Sequence, residues 1–392
     1  MLPQTGAALN AAERRVLLPL AAIYATRLFG LFLLLPVLAL HVGALPGGTP
    51  LLAGIAVGAY GMAQAVMQIP FGAWSDRFGR RPLIVAGLSL HIAGSALGWL
   101  AGSAWAVVVA RAVQGLGAVS GPVMALLADL TRPASRTRAM TVIGVSIGAS
   151  FVLSLVAGPW LAGQIGVGGI FALIGLLGVV ALALVLFAVP DPALPALADV
   201  ARRPASSALA GPLLPHYTGV FMLHLTLTAV FIAVPYALRD WHGIATERHW
   251  QVYLAVFAAS LALTLPFVLW SEKSRRPGWP LASAAGILVL ALLGLAFWHR
   301  DLRLLAAALA AYFGAFNFLE ARLPAMLTQA AGEASRGAAL GVFATCQFAG
   351  AFAGGAAGGA LLGSTIALPG VFLAAALAAF AWLPLALRAE SR

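Results

Sequence analysis

Ionisable side chains sit inside runs that are otherwise apolar, foremost Arg27, Arg111, His224 and Glu320. If those runs cross a bilayer, a charge at mid-span costs about 2.5–3.5 kcal/mol on insertion scales, so it faces a cavity or a partner. Glu320 is the first proton-site candidate, because desolvation raises a carboxyl pKa towards neutrality and lets the group load and release H⁺; a structural ion pair with Arg27, or a backbone-bonded carboxyl near Asn317, is the competing account. His224 titrates near physiological pH when unperturbed, although a single histidine on an apolar helix is more commonly a packing residue. Arg111, three residues before Gln114, either relays protons or holds the interface between the first and fourth spans. Arg27 lies roughly 15 Å into its span at 1.5 Å per residue, near the midplane, where it could meet an anionic ligand. Gln114 and Asn317 complete the polar candidates for a cavity. Arg322 is two positions beyond Glu320 and therefore on a different helical face; snorkelling of its long side chain accounts for it. His91 reads as packing.

The elements that would position these groups follow from composition. Of 392 residues, 62% are hydrophobic and 9% charged, with a mean hydropathy of +0.97, against roughly 45–50% apolar in a soluble domain. A soluble enzyme is excluded. The net charge of +11 would suit nucleic acid only as one patch, and the basic residues instead fall in short clusters between apolar runs. The single cysteine, Cys346, offers neither a disulfide framework nor a thiolate metal site. Runs of about 20 apolar residues are found at 17–40, 51–73, 82–102, 105–129, 139–163, 167–189, 216–238, 249–271, 280–298, 303–329, 337–362 and 367–387. Twelve spans are expected, with the Pro-, Ala- and Ser-rich stretch 190–215 as a linker between a first unit, 1–189, and a second, 216–392. The apolar run after Arg14 and Arg15 is too long for a cleaved leader.

Lys and Arg divide 16 to 4 between the two sides, with three more inside spans. That bias places both termini and the linker in the cytoplasm. Trp99, Trp105, Trp241, Trp250 and Trp298 fall at the far ends of spans, as an interfacial aromatic belt would. A repeat supports the count: Trp74-Ser75-Asp76-Arg77-Phe78-Gly79-Arg80-Arg81-Pro82 is echoed by Trp270-Ser271-Glu272-Lys273-Ser274-Arg275-Arg276-Pro277, offset by 196 residues. Both copies follow an even-numbered span, so the halves are parallel repeats about an axis along the membrane normal.

The first copy of that loop can be read physically. Gly79 permits the tight turn, and Pro82 opens the next helix without losing a donor. Asp76 can pair with Arg80, with Arg138, or with the N-terminus of a helix in the other half. The eleventh span, opening near Gly337, is the natural candidate, since free N–H groups and a positive dipole end attract a carboxylate. Such a contact exists only when the cytoplasmic ends of the halves are together, so it would act as a latch.

Gly72 to Pro82 resembles the signature loop of the major facilitator superfamily, and Arg111-Ala112-Val113-Gln114-Gly115-Leu116-Gly117-Ala118 is similar to its second motif. Gly148 through Gly158-Pro159 resembles the third, antiporter-associated motif, but ends Pro159-Trp160-Leu161-Ala162-Gly163 where a Gly-Gly pair would be expected. Most of the chain resembles the YajR-like drug efflux transporters, for example Gln68-Ile69-Pro70-Phe71-Gly72 and Asp129-Leu130-Thr131-Arg132. The resemblance implies an all-α integral membrane protein of two six-helix bundles, with spans one, four, seven and ten lining a central cavity. It further implies a latch built on Gly72, Asp76, Arg77, Gly79, Arg80, Asp129 and Arg138. The expected activity is proton-coupled efflux of small amphiphilic or drug-like molecules, with proton symport or uniport of a metabolite as the alternative. Expected partners are the substrate, protons and the bilayer of an inner membrane, with no nucleic acid, no cofactor and no metal, in a monomer. Two glycine stripes in the eleventh span, Gly350/Gly354/Gly358 and Gly355/Gly359/Gly363, are expected to be packing surfaces.

Overall fold

The computed structural model describes residues 9–190, 211–274 and 278–388. Most of the expected linker and the Arg275-Arg276-Pro277 end of the second loop copy lie outside the described residues. In lipid every backbone group must be satisfied within its own segment, and the described chain is helical almost throughout. Its helices are α1 (Ala11–Leu34), α2 (Leu38–Ala44), α3 (Pro50–Phe78), α4 (Arg80–Trp99), α5 (Ala104–Leu116), α6 (Ser120–Asp129), α7 (Pro133–Phe187), α8 (Leu214–Tyr236), α9 (His249–Lys273), α10 (Gly278–Trp298), α11 (Leu302–Ala330), α12 (Gly332–Leu362) and α13 (Ala367–Arg388).

Local chemistry sets several starts. Asn10 and Glu13 form a reciprocal capping box at α1, and Thr49 caps α3 ahead of Pro50. Ser103 caps α5 and Asp301 caps α11, each satisfying N–H groups that the helix leaves free.

Eleven helical stretches are long and apolar enough to cross a membrane. The one within α7 runs over 54 residues, about 80 Å at 1.5 Å per residue and more than twice the ~30 Å hydrocarbon thickness. It reverses at Gly166, whose φ of 69° and ψ of 171° break the helix and suit a residue without Cβ. The chain therefore makes twelve crossings, with the break where the sequence placed the end of the fifth span.

Two other expectations need correction. The span drawn at 17–40 is not one helix: α1 ends at Leu34, residues 35–37 form a turn, and α2 follows. Pro36 cannot donate to the ladder there. The span drawn at 105–129 is broken between α5 and α6. Gly117 (φ −74°, ψ 65°) ends α5, and the Ala118 and Val119 N–H groups turn back to the Leu116 and Gly117 carbonyls, an inverse γ-turn arrangement.

The apolar core forms three clusters that follow the halves in the main, with Leu155 of α7 joining the second-half cluster and Ile232 of α8 joining a first-half one. One cluster joins α8, α9, α10, α11 and α13 around Phe231, Tyr253, Phe313 and Phe372. The first half carries two clusters, one around Leu34, Val107 and Phe171 and one at the arginine-rich end around Leu20, Ile84 and Val185. Below, the end bearing Arg77, Arg80 and Arg132 is the basic face, and the end bearing Trp99, Trp105 and Trp241 is the opposite face.

The halves meet at the opposite face. Along α3 and α12, a Cβ on Gly58 would lie 2.8 Å from the Phe352 backbone, and one on Gly355 would lie 2.5 Å from the Gly54 carbonyl. The glycines thus permit backbone-to-backbone approach. The second stripe of α12, Gly350, Gly354 and Gly358, faces Phe221, Leu225 and Ala229 of α8 in its own half. The Tyr236 hydroxyl donates to the Ala39 carbonyl at 3.2 Å, and Glu247 covers Gly163. Towards the basic face the halves part: a Cβ on Gly144, Gly148, Gly337 or Gly341 would meet nothing within 4 Å.

Candidate functional site

Two polar clusters occupy the membrane interior, one in each half. In the first, the α5/α6 break is decisive, because it turns the Gly117 carbonyl and Ser120 towards α1. Arg27 of α1 donates to Ser120 Oγ at 2.8 Å, to the Gly117 carbonyl at 2.8 Å and to Gln64 Oε1 of α3 at 2.6 Å. Gln64 in turn approaches Gln68 one turn along. Arg111 donates to Gln114 Oε1 at 2.8 Å, and Gln114 donates to Ser95 Oγ of α4 at 2.8 Å. The Tyr60 ring lies between the two cations, 5.9 Å from the Arg27 guanidinium and 4.8 Å from that of Arg111. Arg27 and Arg111 are 4% and 2% exposed.

The second cluster brings together two residues that the sequence offered separately. His224 of α8 and Glu320 of α11 are 3.8 Å apart, and Gln347 of α12 stands between them. Its amide nitrogen lies 3.1 Å from Glu320 Oε1 and 2.8 Å from His224 Nε2. His224 Nδ1 sits 3.2 Å from the Val220 carbonyl, which assigns the proton to Nδ1 and leaves Nε2 as the acceptor. Phe316 packs edge-on against the imidazole at 5.9 Å. The Glu320 side chain is 38% exposed overall, yet its Oε2 is buried without a hydrogen-bond partner and its Oε1 is held by Gln347. The Arg27 ion pair is not made, since Arg27 bonds only neutral acceptors in its own half. Asn317 stands outside both networks. Arg322 is half-buried and forms no ion pair with Glu320.

On the basic face, Asp76 pairs with Arg80 rather than Arg138. Arg80 also reaches Asp129 at 3.2 Å and Ser75 Oγ at 2.8 Å, all within the first half. Gly79, at φ 99°, makes the turn between α3 and α4. Gly72 has open space around it, and Arg77 lies against the Phe78 ring. Gly337 lies about five helical turns before Gly355, and so on the face of α12 that meets α3. In the antiporter-like stretch, Gly148 is open, Gly158 abuts the Leu33 carbonyl and Pro159 follows inside α7.

Sequence reasoning missed several contributors, among them Ser95, Ser120, Gln64, Tyr60, Gln347 and Glu13. Gln64, Tyr60 and Gln347 carry no formal charge, so nothing flags them in an apolar run except polarity at helical spacing, as in Gln64 and Gln68. Glu13 was overlooked because it sits before the apolar run. It is 3% exposed and accepts from Arg132 Nε at 2.9 Å and Ser135 Oγ at 2.6 Å, fastening α1 to the start of α7. Among the described residues, no group of three His, Cys, Asp or Glu side chains is gathered.

Comparison with known proteins agrees with this architecture. The family model described as Major Facilitator Superfamily matches residues 20–217. The chain is 38% identical over 380 residues to the inner membrane transport protein YajR of Escherichia coli, covering 95% of this chain and 83% of that protein. It is 29% identical over 264 residues to the multidrug resistance protein MdtH of Yersinia enterocolitica, covering 63% and 62%. The structure of a bacterial homologue of the human lysosomal transporter Spinster superposes with a TM-score of 0.73 at 15% identity, over 98% of each chain. With twelve crossings, a family match over half its length and a relative aligned along nearly all of it, the chain belongs to the major facilitator superfamily of membrane transporters.

Proposed function

We propose that this transporter exports small amphiphilic or drug-like molecules in exchange for protons, and that the basic face lies in the cytoplasm of an inner-membrane setting. The observation that carries the reading is the Glu320–Gln347–His224 arrangement. Of the chain's twelve acidic residues, Glu320 is the one set deep within a span, where its Oε2 is buried without a hydrogen-bond partner and its Oε1 lies 3.8 Å from a second titratable group, His224. A carboxylate so placed binds a proton when desolvated and gives it up when water or a cationic group reaches it. The relatedness to the multidrug resistance protein MdtH supports drug-like substrates. The 16-to-4 distribution of basic residues supports the orientation.

In this cycle the two units, 1–189 and 216–392, rock about the central site. The open basic face is the state that takes up substrate from the cytoplasm. When that face closes, the Asp76 carboxylate reaches the α12 N-terminus, which lies at Gly332, five residues before the expected opening near Gly337, while the α3–α12 seam at the opposite face separates.

The test is substrate-evoked pH change in proteoliposomes with an acidic lumen, wild type beside Glu320→Gln. Alkalinisation evoked by a drug panel and lost in the variant supports antiport through Glu320; retention of proton-coupled transport in Glu320→Gln refutes that assignment. Lumen acidification on substrate entry would instead support the second reading, proton symport, which the buried cation of Arg27 favours for an anionic metabolite.

A further inference from the structure

The two interiors differ in charge: the first holds two buried arginines, and the second holds Glu320 together with half-buried Arg322. In the first half, Arg27 and Arg111 are both buried and both donate only to neutral acceptors: Ser120, Gln64 and the Gly117 carbonyl for one, Gln114 for the other. The acids described in that half are Glu13, Asp76 and Asp129, and all three are engaged at the basic face with Arg132 or Arg80. No carboxylate among the described residues offsets either interior arginine. A desolvated cation held by dipoles alone is costly unless an anion completes it. Donor capacity for one remains, since Nε of Arg27, Nε of Arg111 and the Tyr60 hydroxyl are buried without a hydrogen-bond partner.

The two arginines are not equivalent. Arg111 is enclosed by Gln114, Ser95 and Tyr60, each at most 1% exposed. Arg27 adjoins Ser120 and lies one helical turn from Tyr24, both half-buried. Arg27 is therefore the cation nearer the open space, with Arg111 adding to the positive field from behind the Tyr60 ring. Across the molecule the corresponding group is the carboxylate of Glu320, and Phe348 of the second half meets Tyr60 at 6.5 Å, supplying an aromatic wall between them.

We propose that Arg27 is the anion subsite of the transported molecule, and that this molecule is an amphiphile carrying an acidic group for Arg27 together with a basic group for Glu320. The anionic part stands on Arg27 alone; the basic part rests on the proposed role of Glu320. The arrangement reconciles a buried cation with proton exchange. A purely anionic substrate would bind best with Glu320 protonated, which couples substrate and proton in the same direction, whereas the basic end of a zwitterion competes with the proton.

The probes are 4′-(aminomethyl)biphenyl-4-carboxylate, its methyl ester, its N-acetyl derivative and the doubly blocked form, with equilibrium binding to the full-length purified protein measured calorimetrically. The expected result is that the zwitterion binds roughly tenfold or more tightly than the ester, as for a hydrogen bond to a charged group. Arg27→Gln should erase that advantage while Arg27→Lys keeps part of it, with unchanged melting and gel filtration showing that the variants fold. Glu320→Gln should erase the preference for the free amine and leave the preference for the carboxylate. Equal binding of zwitterion and ester by wild type, a carboxylate preference that survives Arg27→Gln, or no binding by any of the four overturns the anion subsite. A carboxylate preference that depends on Arg27 beside an amine preference indifferent to Glu320 keeps the subsite and overturns the basic-group assignment and, with it, the role proposed for Glu320.

Discussion

The two ends of this transporter are closed, or left open, by different physics. At the opposite face, α3 and α12 meet through Gly54, Gly58, Gly355 and Gly359 with carbonyls against Cα atoms, a contact of shape and dispersion in which no ion pair takes part. At the basic face the polar groups are plentiful, yet Asp76, Arg80 and Asp129 bond one another inside the first half and none reaches the second. One end is thus sensitive to added volume and nearly indifferent to salt; the other depends on where a carboxylate is placed. A gate made of shape holds without committing charge, and the charged end stays free to change partners.

That contrast can be broken most forcibly at the seam. Gly355→Leu would put a side chain into the Gly54 backbone. Overpacking of about 1–3 kcal/mol shifts the balance of states some tenfold to hundredfold towards an open opposite face, read as a longer distance between spin labels at Leu51→Cys and Ser364→Cys. The same change at Gly341, on the same side of α12 but in open space, should leave that distance unaltered and instead hinder closure of the basic face.

At the basic face the strongest effect is expected from Glu13→Gln. It removes the charge that holds Arg132 and Ser135, so the melting temperature should fall and α1 should become more accessible to proteolysis near its start. Asp76→Asn is milder. Its carboxylate is half exposed and Arg80 keeps Asp129, so stability should change by less than about 1 kcal/mol, while the latch proposed for Asp76 requires that transport fall severalfold. Arg138→Gln should be within about 0.5 kcal/mol of wild type in stability, and a large loss there would show that Asp76 exchanges partners with Arg138 during the cycle.

How much of this was written in the sequence follows the energies involved. Crossings were legible because apolar runs of bilayer length have few other uses, and even the reversal at Gly166 fell in the gap between two of them. The breaks at Pro36 and at Gly117 were not, since each interrupts a run whose hydropathy never drops. Glu320 and His224 stood out because a titratable group in a span is expensive. Their union through Gln347 did not, as an uncharged amide on another helix gives no such signal, and the pairing depends on how α8, α11 and α12 pack. The Asp76–Arg80–Asp129 cluster came from loop spacing together with the family resemblance. Glu13, lying outside the apolar run, had nothing to mark it until its burial was seen.

Alternating access requires the two ends to open in turn. The direct measurement is the distance between spin labels in two double-cysteine variants in lipid: Arg77→Cys with Lys273→Cys at the basic face, and Leu51→Cys with Ser364→Cys at the opposite face. Recorded across a pH series and with Glu320→Gln, the account predicts that every condition lengthening one pair shortens the other, with the Leu51–Ser364 pair short whenever the Arg77–Lys273 pair is long. Both distances lengthening together, or the seam staying shut while the basic face closes, would contradict it.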